Sequence, residues 1–145
     1  MMKRRKEFSL RTWNDYRKAL GIKDPVFDFA STGNVEGLKS SINVVNLDAT
    51  DSRGYSPLML TACHGHYEAA AFLIKLGADL STRDNNGNSP LMAAVFYGHL
   101  PIVKLLLENG ADPDACNYKK QTALLFAKIF GKREIAEVLI ENRAS

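Results

Sequence analysis

A register that returns every 33 residues dominates the second half of this 145-residue chain. Asp51, Asp84 and Asn117 share one position, and Gly54 and Gly87 another, with Lys120 in their place in the third copy. Ser56-Pro57-Leu58-Met59, Ser89-Pro90-Leu91-Met92 and Thr122-Ala123-Leu124-Leu125 follow in step, then Gly65-His66, Gly98-His99 and Gly131-Lys132. Gly77-Ala78-Asp79 matches Gly110-Ala111-Asp112. Self-similarity at this period marks a stack of small units, because one such unit cannot bury its apolar face alone.

The chemistry of one copy predicts its shape. Ser56 and Ser89 are placed to cap a helix, with Pro57 and Pro90 at the first helical position, where a missing N–H costs nothing. Leu58, Met59, Thr61 and Ala62 open that short helix, and Gly65 and Gly98 end it as left-handed residues. A second helix carries Phe72, Leu73 and Leu76 in one copy and Ile102, Val103, Leu105, Leu106 and Leu107 in the next, closed by Gly77 and Gly110. The stretch from Ala78 to Asn88, rich in Asp, Asn and Gly, is too turn-prone for helix and reads as an extended hairpin. Each unit is therefore expected to run hairpin, helix, loop, helix.

These residues resemble those of the ankyrin-repeat family. The resemblance covers residues 51–145, divided as 51–83, 84–116 and 117–145. Residues 24–50 read as a degenerate first repeat: Asp24-Pro25 opens its helix, and Gly33-Asn34 stands in for Gly-His. The resemblance implies an all-α repeat solenoid, an ankyrin array of helix-loop-helix units joined by β-hairpin loops. Two departures stand out. The family's usual TPLH reads SPLM twice, so packing of a methionine must replace a histidine hydrogen bond. Lys120 occupies a turn-glycine position.

Charge is unevenly spread. Residues 1–23 carry eight Lys/Arg against Glu7 and Asp15, a net of +6. Residues 24–116 carry five basic and eleven acidic side chains, −6, and residues 117–145 six and three, +3. The sequence pI of about 8.9 thus does not report a uniform basic face, and nucleic acid is not the expected partner of the repeats. An alternative reading has the basic segment Lys3 to Lys23 engaging nucleic acid or an anionic membrane. Within residues 1–23, Leu10, Trp13, Tyr16 and Leu20 share one face of an amphipathic helix over 8–20. The favoured reading is a helix that covers the apolar end of the first repeat; the other is a free helix presenting Trp13 to a partner. Glu7, Arg11 and Asp15 interrupt any signal-peptide core, and no apolar run is long enough to cross a membrane. Cys63 and Cys116 are too few for a disulfide framework, so a reducing, cytoplasmic location is expected, with secretion or a periplasmic location after removal of a signal as the alternative.

Catalytic, cofactor and metal sites are not expected. Cys63, His64 and His66 lie close in sequence, but no third ligand or orienting carboxylate accompanies them. An enzyme built on Cys63 and His66 is the contrasting hypothesis. The resemblance gives His66 and His99 a structural role at a helix start, and the recurring Asp51, Asp84, Asp79 and Asp112 most simply satisfy backbone donors in turns.

What remains is a surface. In ankyrin repeats the binding face is made by hairpin tips and the exposed side of each first helix, forming a concave groove. Carried over, this gives Ser52, Arg53 and Tyr55; Asn85, Asn86 and Asn88; and Tyr118, Lys119 and Gln121 on the hairpins. The helix positions are Cys63 and His64, Phe96 and Tyr97, then Ile129 and Phe130. The partner-binding residues expected from this are Arg53, Tyr55, His64, Phe96, Tyr97, Tyr118, Ile129 and Phe130. Large apolar groups at positions that solvent would ordinarily fill with polar ones are typical of interface anchors; the structural alternative tucks Phe96 and Phe130 between helices. The function so implied is a non-enzymatic module, monomeric when free, that binds a protein partner as inhibitor, adaptor or effector. The last copy, lacking the turn glycine and the first-position proline (Ala123), is expected to be the softest.

Overall fold

A computed structural model of the chain describes residues 19–21 and 23–144. The basic tail and nearly all of the amphipathic segment expected over 8–20 lie outside the described residues. Among these, eight helices form four pairs: α1 (Pro25–Thr32) with α2 (Val35–Ser41), α3 (Pro57–His64) with α4 (Tyr67–Lys75), α5 (Pro90–Phe96) with α6 (Leu100–Glu108), and α7 (Ala123–Ile129) with α8 (Arg133–Ala144). The first helices of the pairs stack on one another, α1 on α3, α3 on α5 and α5 on α7, as an inner layer. The second helices, α2, α4, α6 and α8, stack in the same order as an outer layer.

Local chemistry starts and stops each inner helix. Ser56, Ser89 and Thr122 accept hydrogen bonds from the amides of Met59, Met92 and Leu125 at 3.2–3.3 Å, and Pro57 and Pro90 follow the cap. Asp24 does the same for α1, accepting from the Val26 amide at 3.0 Å ahead of Pro25. Gly33 and Gly65 close α1 and α3 in the left-handed conformation.

The core runs along the seam between the layers. Leu38, Leu58, Leu73, Leu91, Ile102, Leu106 and Leu139 are fully buried, and each leucine so buried contributes roughly 1.5–3 kcal/mol. Ala62, Ala69, Ala70, Ala94 and Ala127 sit between them and permit close helix approach. Met59 and Met92 are buried where the family's histidine would stand, and the neighbouring Ser56 and Thr82 hydroxyls meet at 3.1 Å, linking that turn to the next connection.

The connections differ from extended hairpins. They close like hairpins, with the amides of Asp51, Asp84 and Asn117 each bonded to the carbonyl four residues on, at 3.0 Å. Yet among the described residues the only bridge is an isolated one between Cys116 and Thr122, and no strand forms. The reason lies in the Asx side chains. Asp51 Oδ1 takes the amides of Arg53 and Tyr55, Asp84 Oδ1 those of Asn86 and Asn88, and Asn117 Oδ1 those of Lys119 and Gln121. Donors that a ladder would use are already satisfied within the turn. Each connection is a stiff finger.

The fingers are stitched to one another. The Asn85 amide donates to the Arg53 carbonyl at 3.0 Å, and the Tyr118 amide to the Asn86 carbonyl at 3.1 Å. Asn117 Nδ2 reaches Asn88 Oδ1 at 2.9 Å, and Arg83 Nη1 bridges the carbonyls of Gly87 and Cys116.

Candidate functional site: the inner face

Repeat register brings the finger residues and the ends of the inner helices to the same side of the array. Arg53 at the first finger lies over the Tyr55 ring, 4.4 Å from its centroid, a cation–π contact. Arg53 Nη2 also meets Asp51 Oδ2 at 3.5 Å. Tyr55 is half-buried, and its phenol is raised above its ordinary range by burial and by its proximity to Cys63, Asp84 and Tyr97. The Tyr55 phenol thus lies within electrostatic reach of Cys63 on α3 and of Tyr97 just after α5.

Phe96, at the end of α5, is the hub of a ring cluster. Its ring meets Tyr97 and Phe130 edge-on, each at 4.9 Å between centroids, and Phe126 at 6.1 Å; Phe126 and Phe130 meet at 6.1 Å. Edge-to-face pairs at these separations are favourable beyond the area they bury. Phe126 is the buried floor, while Phe96, Tyr97 and Phe130 remain exposed at 42%, 52% and 47%. Phe96 and Phe130 therefore pack against each other across neighbouring helices and still face solvent.

The other expected positions divide. Ile129 is exposed beside the cluster, and His64 is exposed at the end of α3, its ring 6.3 Å from that of His66. Tyr118 stands apart from the ring cluster. Its ring lies on the preceding finger, where a Cβ on Gly87 would come within 2.7 Å of Tyr118 Cδ1, and it is 75% exposed. Phe126 was not among the expected residues. In its register the earlier copies carry Leu60 and Ala93, so it reads as ordinary core. The available signal was its four-residue spacing from Phe130, which puts both rings on one helix face.

The structure gives the Gly-His pairs a structural role that links one repeat to the next. His66 and His99 sit at the starts of α4 and α6, but neither side chain caps its helix. Each ring instead reaches back one repeat: His66 Nε2 donates to the Ser31 carbonyl at 2.8 Å and His99 Nε2 to the Cys63 carbonyl at 3.1 Å. The rings occupy the space beside Gly33 and Gly65, where a Cβ would lie 2.6 Å from ring atoms. At the third junction Lys132 takes this place, its Nζ 3.1 Å from where a Cβ on Gly98 would be.

Cys63 is not assembled into a dyad. Burial, with Asp84 and Asp51 adding to it against the opposing charge of Arg53, pushes its thiol up to about 11. A thiol with that pKa is protonated near neutrality, and the thiolate is the nucleophile. Both cysteines are free. Asp79 is held below its ordinary range by hydrogen bonds from the Ser81 hydroxyl and amide, and Asp112 accepts from the Asp114 amide, the turn role expected of both. No group of His, Cys, Asp and Glu among the described residues has the arrangement of a metal site. No helix among them is long and apolar enough to cross a membrane.

Stacked helix pairs, capped in register and stitched by fingers, define a repeat scaffold that presents one continuous face. The family model of ankyrin repeats, in three copies, matches residues 26–117. The chain belongs to the ankyrin-repeat family, whose members are protein–protein interaction modules. A comparison with curated proteins gave no match.

Proposed function

We propose that this chain is a non-enzymatic module that holds a protein partner against its inner face, with Phe96, Tyr97 and Phe130 as the central anchors. The reading rests on one observation above all: three rings packed edge-on over a buried fourth, yet left open to solvent. A cluster preorganised in this way binds without first losing rotamer freedom, which lowers the cost of association. Arg53, Tyr55, His64, Tyr118 and Ile129 flank the anchors. The stitched fingers keep the flanks in place. A monomeric free state and a cytoplasmic location complete the reading, and the two free cysteines accord with the location.

The test is recovery of partners by the wild type and by a Tyr97→Ala/Tyr118→Ala variant with an unchanged melting profile. An aromatic anchor contributes about 2 kcal/mol or more, so losing one weakens binding about thirtyfold. Equal recovery of the same partner by both proteins overturns the assignment of the face.

A further inference from the structure

The charges of the three copies over residues 51–145 are sorted by layer. No helix of the inner layer between Pro57 and Ile129 contains an acidic residue. The two carboxylates in the fingers, Asp51 and Asp84, are folded into their own turns by the amide bonds described above, and Asp84 is buried. The acidic side chains that remain lie on the outer helices, such as Glu68, Glu108, Glu134 and Glu137, or in the loops that leave them. Apart from Arg53, which meets Asp51 at 3.5 Å, the cations of the inner side have no carboxylate partner. Among the described residues the ion pairs are Lys39–Glu36, Arg53–Asp51 and Arg143–Asp114, so Lys119, Lys120, Lys128 and Lys132 have none. Lys119 and Lys120 are exposed on the last finger, and Lys132 reaches back over Gly98, adjacent in sequence to Tyr97.

An apolar cluster rimmed on this side by unpaired ammonium groups is complementary to one kind of ligand. We infer that the inner face takes an acidic peptide segment of its partner, with an aromatic or branched aliphatic residue seated on the Phe96, Tyr97 and Phe130 rings and carboxylates on either flank reaching Arg53, Lys119 and Lys132. This rests on the groove reading proposed above and adds the chemistry of the occupant. Apolar contact supplies the anchor. The flanking charges set register and speed of encounter, and like charges on a wrong partner are repelled. The same field rejects a basic segment, while a polyanion such as nucleic acid, lacking an apolar residue, gains the rim but not the rings.

A random peptide library displayed on phage, selected against the full chain, reads this directly. The expected pool is enriched in Asp and Glu around an aromatic or leucine-type residue. A synthetic peptide from it is expected to lose about tenfold in affinity for an Arg53→Glu/Lys119→Glu variant, a fall that rim charges of this kind produce. Raising salt to about 0.5 M should weaken wild-type binding in parallel, which keeps the test valid should the variant fail to fold. A neutral or basic pool, no enrichment, or affinity indifferent to both salt and charge reversal overturns the inference. Peptides that bind Tyr97→Ala/Tyr118→Ala as well as wild type show instead that the groove reading itself is wrong.

Discussion

The imidazole of His66 fills the space beside Gly33, and its Nε2 lies 2.8 Å from the Ser31 carbonyl of α1 in the preceding repeat. The same lock recurs one repeat later between His99, Gly65 and the Cys63 carbonyl. The glycine therefore has two reasons to lack a side chain: a left-handed backbone, with φ of 70° at Gly33 and 75° at Gly65, and a ring where its Cβ would be. A carbonyl at a helix end, short of an intrahelical donor, gains one from the next repeat.

This lock predicts a coupled pair. Gly65→Ala should cost about 2–3 kcal/mol, from left-handed strain plus the clash with His99. His99→Ala should cost about 1 kcal/mol for the lost bond. The double variant should be less destabilised than the sum, because removing the ring removes the clash. Urea unfolding of all four proteins checks this; strict additivity would show that glycine and histidine act independently.

Lys120 is the sole described residue other than glycine with positive φ, at 62°. It holds the position at which Gly54 and Gly87 adopt φ of 82° and 81°. Lys120→Gly should therefore stabilise the protein by up to about 1 kcal/mol, less whatever the unfolded chain gains in freedom. Gly87→Ala is the opposite case, strained in backbone and driven into the Tyr118 ring. Midpoints of thermal melts that move in the same direction for both variants would contradict this.

Alkaline pH should act through Cys63. Its thiol stays neutral up to about 11 in the folded protein, whereas the ordinary group ionises near 9.0. Ionisation therefore favours the unfolded chain first. The contribution is whole below about pH 9 and drains away as pH climbs towards 11. The raised Tyr55 phenol adds in the same direction. Stability of Cys63→Ala should fall less over that interval than that of the wild type. At about pH 8 a thiol reagent should label the exposed Cys116 well before Cys63.

Amide exchange should be slowest in the middle of the array. Leu91, Met92, Ala94, Val95, Val103 and Leu106 are buried with a neighbouring pair on each side. The sequence points to residues 133–142 as the fastest helical region, and α8 indeed buries only Ile135 and Leu139 among its large side chains. The structure adds a second soft element, α2, with seven residues, an internal Gly37 and Leu38 as its one buried side chain. Exchange in α2 should match or exceed that in α8, since opening free energy tracks local burial. Equal protection in all eight helices would refute the gradient.

How much was legible depends on the distance over which each residue acts. Roles played within a turn were readable: Asp51, Asp84 and Asn117 sit at fixed offsets from a turn glycine or its lysine, and their side chains bond amides two and four residues away. Helix caps were readable for the same reason. Roles played between repeats were not. His66 finds its partner 35 residues back and His99 36 back, so the landmark was visible while its bond was not. The aromatic row was visible as composition, but register alone did not separate Tyr118, resting on Gly87, from the ring cluster, nor reveal Phe126 beneath it. The missing strands have a local cause too: the turn-rich composition suggested a hairpin, and the Asx side chains took the donors.

The bonds between fingers and the histidine locks each span one repeat step and no more. The molecule thus resembles a zip whose teeth engage only their neighbours. Stretched between its ends, it should open tooth by tooth, starting from an end, and recoil by re-engaging each tooth on the last. Because Phe126 and Phe130 belong to the last pair, opening from that end would break the ring cluster early, whereas opening from the other end would spare it until late.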